Sequence, residues 1–145
     1  MNKLRFEDFL ERDGSLTYTN VGTSMLPLLR QGRDLFTVVK KTAARCKVGD
    51  VALYRRADGA YVLHRIVEVR DEDYVFLGDN CVTREYGVTD ADILGVMSAF
   101  VRDGKEHSVT ERGYRAYTAF ILKSAPARIA GKKLIGKAAR LYHEI

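Results

Sequence analysis

The stretch Tyr61-Val62-Leu63-His64-Arg65-Ile66-Val67-Glu68-Val69 is followed by Arg70-Asp71-Glu72-Asp73 and then by Tyr74-Val75-Phe76-Leu77. Two runs rich in β-branched and aromatic residues flank a short charged segment, which is the pattern of an antiparallel hairpin. Working outward, Val51–Arg55 precedes this pair across the turn Ala57-Asp58-Gly59, and Ile93–Val101 follows it and ends at Asp103-Gly104. Asp-Gly suits the positive φ angles that hairpin turns demand. Leu16–Val21 and Leu35–Lys40 add two further alternating runs upstream. Strands at this spacing, joined by tight turns, predict a mainly β, antiparallel domain.

The two ends read differently. Residues 3–11 fit a short helix with Leu4, Phe9 and Leu10 facing inward and Phe6 off that stripe. Near the other end Ala127, Ala130, Leu134, Ala138 and Leu141 recur at three- and four-residue steps, one face of a helix from Pro126 to Tyr142. Proline suits a first helical turn, whereas Gly131 and Gly136 each cost up to about 1 kcal/mol relative to alanine. The expected organisation is a β domain over residues 1–110 and a basic helical extension over residues 111–145.

At 145 residues, with 46% hydrophobic and 30% charged residues, the chain has the composition of one globular domain. Its net charge of +5 is unevenly placed. From Arg115 onward stand Arg115, Lys123, Arg128, Lys132, Lys133, Lys137 and Arg140 against the single acid Glu144, so the body before them is close to neutral. The tail lacks aromatic interleaving apart from Tyr142, and no nucleic-acid partner is expected. Cys46 and Cys81 match no metal-ligand spacing and are too few for a disulfide scaffold, so a reduced, intracellular chain without metal or cofactor is expected. No apolar run approaches the roughly 20 residues that span a bilayer, and Glu7, Asp8 and Glu11 do not suit a secretory signal.

Three segments carry candidate chemistry. In Gly22-Thr23-Ser24-Met25-Leu26-Pro27 the serine sits where a strand breaks, because Pro27 has no N–H and fixes its own φ. Ser24 there is either the cap of a helical turn starting at Met25 or a nucleophile beside backbone N–H groups that stabilise an oxyanion. Alternation places His64 with Val62 and Ile66, and Arg65 with Leu63 and Val67. An imidazole among apolar neighbours is kept neutral by desolvation. It is either a hydrogen-bonded core group or a base able to take a hydroxyl proton. Gly78-Asp79-Asn80 is either a plain turn or a strand end whose carboxylate orients a histidine next to it.

The ordered set Gly22-x-Ser24-Met25-x-Pro27-x-Leu29, Gly49-Asp50-Val51, His64-Arg65-Ile66, Gly78-Asp79-Asn80 and Ile93-Leu94-Gly95-Val96 resembles the type I signal peptidases. Within them it is most similar to the branch that uses histidine instead of lysine as the base. The broader group includes LexA-type self-cleaving repressors with the same β fold, and the resemblance covers about residues 18–102. It implies a signal-peptidase/LexA-like β domain, Ser24 as nucleophile, His64 as general base and Asp79 as the orienting acid. It also implies a peptide or preprotein substrate bound in extended form.

The sequence departs from the family at several points. Relatives commonly carry a hydroxyl residue where Gly22 stands. Cys81 replaces a second asparagine, and Arg84 falls near the position of the expected acid, which leaves Glu85 and Asp90 as further candidates beside Asp79. Lys40 and Lys41 lie too close to Ser24 to be the family's lysine base and read as solvated strand ends.

The resulting expectation is a serine endopeptidase cleaving leader- or signal-type peptides through an acyl-enzyme, cytoplasmic or peripheral on a membrane. The basic tail helix would then touch an anionic membrane surface. Two alternatives stand beside it: a LexA/UmuD-like self-cleaving regulator, and a non-catalytic peptide-binding module of the same fold. The only Ala-Gly pair, Ala130-Gly131, lies in the tail, beyond the β region, whereas self-cleavage needs such a linker before the serine.

Overall fold

The computed structural model describes residues 5–144, with side chains described to residue 140. The order of elements is α1 (Phe6–Asp13), β1 (Ser15–Thr19), β2 (Asp34–Lys40), β3 (Val51–Arg55), β4 (Tyr61–Val69), β5 (Tyr74–Leu77), β6 (Glu85–Val88), β7 (Ile93–Arg102), β8 (Lys105–Ser108) and α2 (Arg112–Glu144). The strands form one antiparallel sheet ordered β1-β2-β7-β3-β4-β5-β6, with β8 added to β7. The expected mainly β fold with a short first helix and a C-terminal helix is present.

Alternation in β4 sorts its side chains as the pattern requires. Leu63 joins Val51, Leu53, Phe36, Val38 and Met25 in one apolar cluster, while Ile66 joins Ala52, Tyr54, Tyr74 and Phe76 in another. The pairing His64↔Ala52 and Arg65↔Leu77 brings the Gly78-Asp79 corner beside the middle of β4. A bulge in β4 between Ile66 and Glu68 breaks the register with β5, and such bulges bend the strand that carries them.

Several local expectations are corrected. α1 starts at Phe6, not residue 3, so Phe6 and Leu10 share its inward face. Phe6 packs edge-on against Tyr61 at 4.7 Å and Tyr18 at 5.0 Å, whereas Leu4 lies outside the described residues. Lys41 is not solvated: its side chain is only 10% exposed and pairs with Asp90 at 3.3 Å. β6 and β8 are strands without an apolar run.

The last helix begins at Arg112, well before Pro126, and Pro126 lies inside it. A proline there leaves the Leu122 carbonyl without its N–H partner. The adjacent Ile121 carbonyl accepts from Arg128 Nη2 at 2.8 Å. Tyr114 and Tyr117 pack against the first apolar cluster, and Ala125 and Ile129 form a third with Leu77. The stripe Ala127, Ala130, Leu134 and Ala138 faces away from the sheet and is exposed. The last member of that stripe, Leu141, has no described side chain. Among the described residues no helix is long and apolar enough to cross a membrane.

Candidate functional site

The chain leaves β1 at Thr19 and turns sharply over residues 24–28 before β2. Met25, fully buried in the first apolar cluster, anchors this turn, and Leu29 N donates back to the Met25 carbonyl at 2.9 Å. Gly22 has φ +85°, a conformation that a β-carbon strains, and its N–H donates to Gln31 Oε1 at 2.7 Å. The departure from a hydroxyl residue at position 22 therefore has a backbone cause.

Ser24 Oγ caps no backbone N–H; among the described residues it makes no hydrogen bond. The N–H groups of Ser24 and Met25 also take no acceptor there. Unspent donors next to an unspent hydroxyl are the components that stabilise charge developing on a carbonyl attacked by that hydroxyl.

The corner after β5 wraps around this turn. Asn80 N donates to the Ser24 carbonyl at 2.9 Å and Asn80 Nδ2 to the Thr23 carbonyl at 3.1 Å, while Asp79 N points to Met25 Sδ at 3.4 Å. Gly78 sits in the closest quarters of all. A β-carbon there would stand 2.7 Å from the Ser24 carbonyl, 2.6 Å from Cys81 Sγ and 3.1 Å from His64 Cδ2. Only glycine fits this point, where the serine turn and the histidine ring converge.

Ser24 and His64 line one cavity of about 330 Å³, walled by Tyr18, Phe36, Leu53 and Tyr61. No hydrogen bond joins Ser24 Oγ to His64 in this state; catalytic contacts are often loose until substrate is bound. The His64 ring is held below the ordinary histidine value, first by burial and then by the nearby Arg56 cation. It is therefore neutral near pH 7 and able to accept a proton.

Asp79, expected as the acid, is committed elsewhere. Its carboxylate receives Arg65 Nε at 2.8 Å, Arg65 Nη2 at 2.9 Å and Tyr117 Oη at 2.8 Å. Arg65 and Asp79 are both buried, and Arg65 Nη1 donates further to the Gly49 carbonyl at 2.8 Å and to Thr118 Oγ1 at 3.1 Å. A charge removed from water needs this degree of pairing. No hydrogen bond links Asp79 to His64.

Glu85 is the other carboxylate near the ring, and it accepts from Tyr54 Oη at 2.8 Å and Arg56 Nη2 at 2.7 Å. Asp90 is held away from the ring by Tyr74 at 2.5 Å, with Lys41 and Arg45 around it. Ser24 and His64 thus share one cavity, and among the described residues no carboxylate hydrogen-bonds the imidazole.

Two features were not anticipated. Cys81 lies beside the same glycine as His64, its Sγ 3.8 Å from the Ser24 carbonyl. Sequence distance hid this contact. Burial pushes its thiol up, which keeps it protonated and a weak nucleophile at neutral pH. α2 also reaches the site: Arg128 Nη1 donates to the Asp79 carbonyl at 2.6 Å, and Lys132 Nζ to the Asn80 carbonyl at 2.8 Å. The basic tail gave no sign of these contacts, because their acceptors are backbone carbonyls.

Comparison with protein-family models, curated proteins and solved structures returns no significant match.

Proposed function

We propose that the chain is a serine endopeptidase of the signal-peptidase type, with Ser24 as nucleophile and His64 as general base. The observation that carries this reading is the convergence of Ser24 and His64, far apart in sequence, on one cavity across Gly78. In this mechanism the neutral imidazole takes the Ser24 hydroxyl proton as Oγ bonds to the scissile carbonyl carbon. The oxygen of the tetrahedral intermediate lies among the Ser24 and Met25 N–H groups. Collapse breaks the C–N bond and the imidazolium returns its proton to the leaving amine. Water, deprotonated by the same ring, then hydrolyses the ester and regenerates Ser24.

A Ser/His pair needs the ring held in place even without an acid. Burial and the edge of Tyr54, with centroids 6.4 Å apart, supply that restraint. The cavity, walled by aromatic and aliphatic side chains with Asn20 and Arg56 among them, receives a side chain of an extended peptide, in line with the small residues that the family resemblance implies.

The substrate's setting follows from the tail. Phe120, Ala127 and Leu134 recur at heptad spacing on the side of α2 away from the sheet, with Phe120 63% and Leu134 68% exposed. Lys123, Lys133, Lys137 and Arg140 accompany them, and no acid occurs from Arg112 through Arg140. An apolar stripe edged by cations suits an anionic bilayer, so the enzyme acts at a membrane surface on peptides presented there.

A peptide library with small residues before the scissile bond tests the function. Wild type cleaves members of the library, and Ser24→Ala and His64→Ala each lower the rate by a factor of order 10⁴ or more. Undiminished cleavage by purified Ser24→Ala would exclude this mechanism.

A further inference from the structure

A second hollow, of about 710 Å³, shares His64 and Arg56 with the serine cavity but not Ser24. Its lining includes His64, Cys81, Val82, Arg56, Arg84 and Lys132. Its only carboxylate among the described residues, Glu85, already accepts two guanidinium nitrogens of Arg56, at 3.1 Å and 2.7 Å. Arg84, half-buried in the wall, has no carboxylate partner among the described residues. Lys132 likewise faces only the oxygens of Asn80, through its carbonyl at 2.8 Å and its side-chain amide. Two cations without counter-charges therefore border an otherwise largely apolar hollow next to the general base.

The placement of His64 orients this hollow. The serine cavity contains the nucleophile, so it receives the acyl side of the substrate. His64 is the group that hands a proton to the departing amine, and the hollow that shares His64 but not Ser24 lies where the departing chain runs.

We infer that this hollow is a leaving-side subsite selecting peptides with an acidic side chain among the first residues after the scissile bond, with Arg84 as its specificity-determining residue. The inference rests on the peptidase reading above. A carboxylate entering the hollow meets Arg84 in a half-buried setting, where charge-assisted hydrogen bonds exceed those of exposed pairs. Lys132 adds a second positive charge from the helix side. A lysine in the same place meets two like charges and is disfavoured, so selectivity arises from repulsion as well as attraction.

The test uses nine otherwise identical fluorogenic peptides with Ala before the scissile bond and Glu, Gln or Lys placed singly at one of the first three positions after it. For the full-length wild type, kcat/KM falls in the order Glu, Gln, Lys, with on the order of tenfold between the extremes at one of these positions. Arg84→Glu inverts that order, and 0.5 M salt compresses it. Fluorescence anisotropy with Ser24→Ala, which binds without cleaving, gives the same ranking in Kd. Equal kcat/KM across the series, or a ranking unchanged in Arg84→Glu, overturns the subsite while leaving the peptidase intact. Cleavage of no member, with no binding to Ser24→Ala, overturns both readings together.

Discussion

Arg128 Nη1 donates to the carbonyl oxygen of Asp79 at 2.6 Å, which ties the middle of α2 to the corner that cradles Ser24. The same guanidinium reaches Ser124 Oγ at 2.9 Å and the Ile121 carbonyl at 2.8 Å. One side chain thus bridges the proline-interrupted stretch of the helix and the Asp79-Asn80 corner, and Asn80 in turn holds the Ser24 and Thr23 carbonyls.

Arg128→Met is therefore expected to act on positioning. Loss of hydrogen bonds made by a charged donor costs about 1.5–3 kcal/mol each at most, and less where water replaces them. Thermal unfolding should show a modest loss of stability. The kinetic signature is a fall in kcat on the order of tenfold with little change in KM, as expected when a nucleophile is misplaced by a fraction of an ångström. A change confined to Tm, with kcat intact, would reduce Arg128 to a structural role.

The buried Arg65–Asp79 pair makes a different prediction. Removing one partner leaves an uncompensated charge in the interior, a loss of about 3–5 kcal/mol. Asp79→Ala should lower the denaturation midpoint accordingly, while the double replacement Arg65→Met/Asp79→Leu recovers much of the loss. Asp79→Asn should reduce the rate per folded molecule far less than His64→Ala does, because no hydrogen bond connects Asp79 to the imidazole. Urea titrations of the three variants, paired with initial rates, measure both effects.

The pH dependence follows from His64. Its folded-state pKa lies below the ordinary 6.5, because burial and then Arg56 disfavour the imidazolium. The base is active when neutral, so kcat/KM should rise along an acidic limb centred below pH 6.5 and be level at pH 7. The same shift makes protonation destabilising, so this contribution to stability is present above the unfolded-state value and is lost as pH falls below it. Arg56→Gln removes a cation and leaves Glu85 behind, so the limb should move to higher pH. A limb that moves to lower pH, or does not move, would show that Arg56 does not act on the ring.

Membrane association is expected to be electrostatic and reversible. About 1 kcal/mol per basic residue near an anionic surface gives useful binding from Lys133, Lys137 and Arg140 together. The shallow alanine-rich stripe adds little beyond Phe120 and Leu134. Co-sedimentation with phosphatidylserine-containing vesicles should be strong at low salt and lost at high salt or in Lys133→Gln/Lys137→Gln/Arg140→Gln. It should be absent with neutral vesicles. Equal, negligible binding to both vesicle types would remove the membrane from the account.

What could be read from the chain follows from what side chains do. The hairpins around β3, β4 and β5 were legible because period-two apolar patterning and Asp-Gly turns are local signals. β6 and β8 were not, since Glu85-Tyr86-Gly87-Val88 gives the core only Val88, Lys105-Glu106-His107-Ser108 gives it no aliphatic residue, and both are held by backbone pairing at the sheet's margins. The onset of α2 was hidden by Pro126. The inward stripe Tyr114, Tyr117, Ile121 and Ala125 does have helical spacing, but proline marked the wrong boundary. At the site, motifs single out Ser24 and His64, and the structure brings both to one cavity. The commitment of Asp79 to Arg65 and Tyr117 depends on a helix that lies far along the sequence.

The pairing of Ser24 with His64 is tested most directly by covalent labelling with a fluorophosphonate. In the full-length wild type a single phosphonyl group should be added, and peptide mass mapping should place it on Ser24. Its rate should follow the acidic limb of His64, fall by a factor on the order of 10³ or more in His64→Ala, and vanish in Ser24→Ala. Labelling that is absent from wild type, lands on another residue, or proceeds at the same rate in His64→Ala would contradict the account.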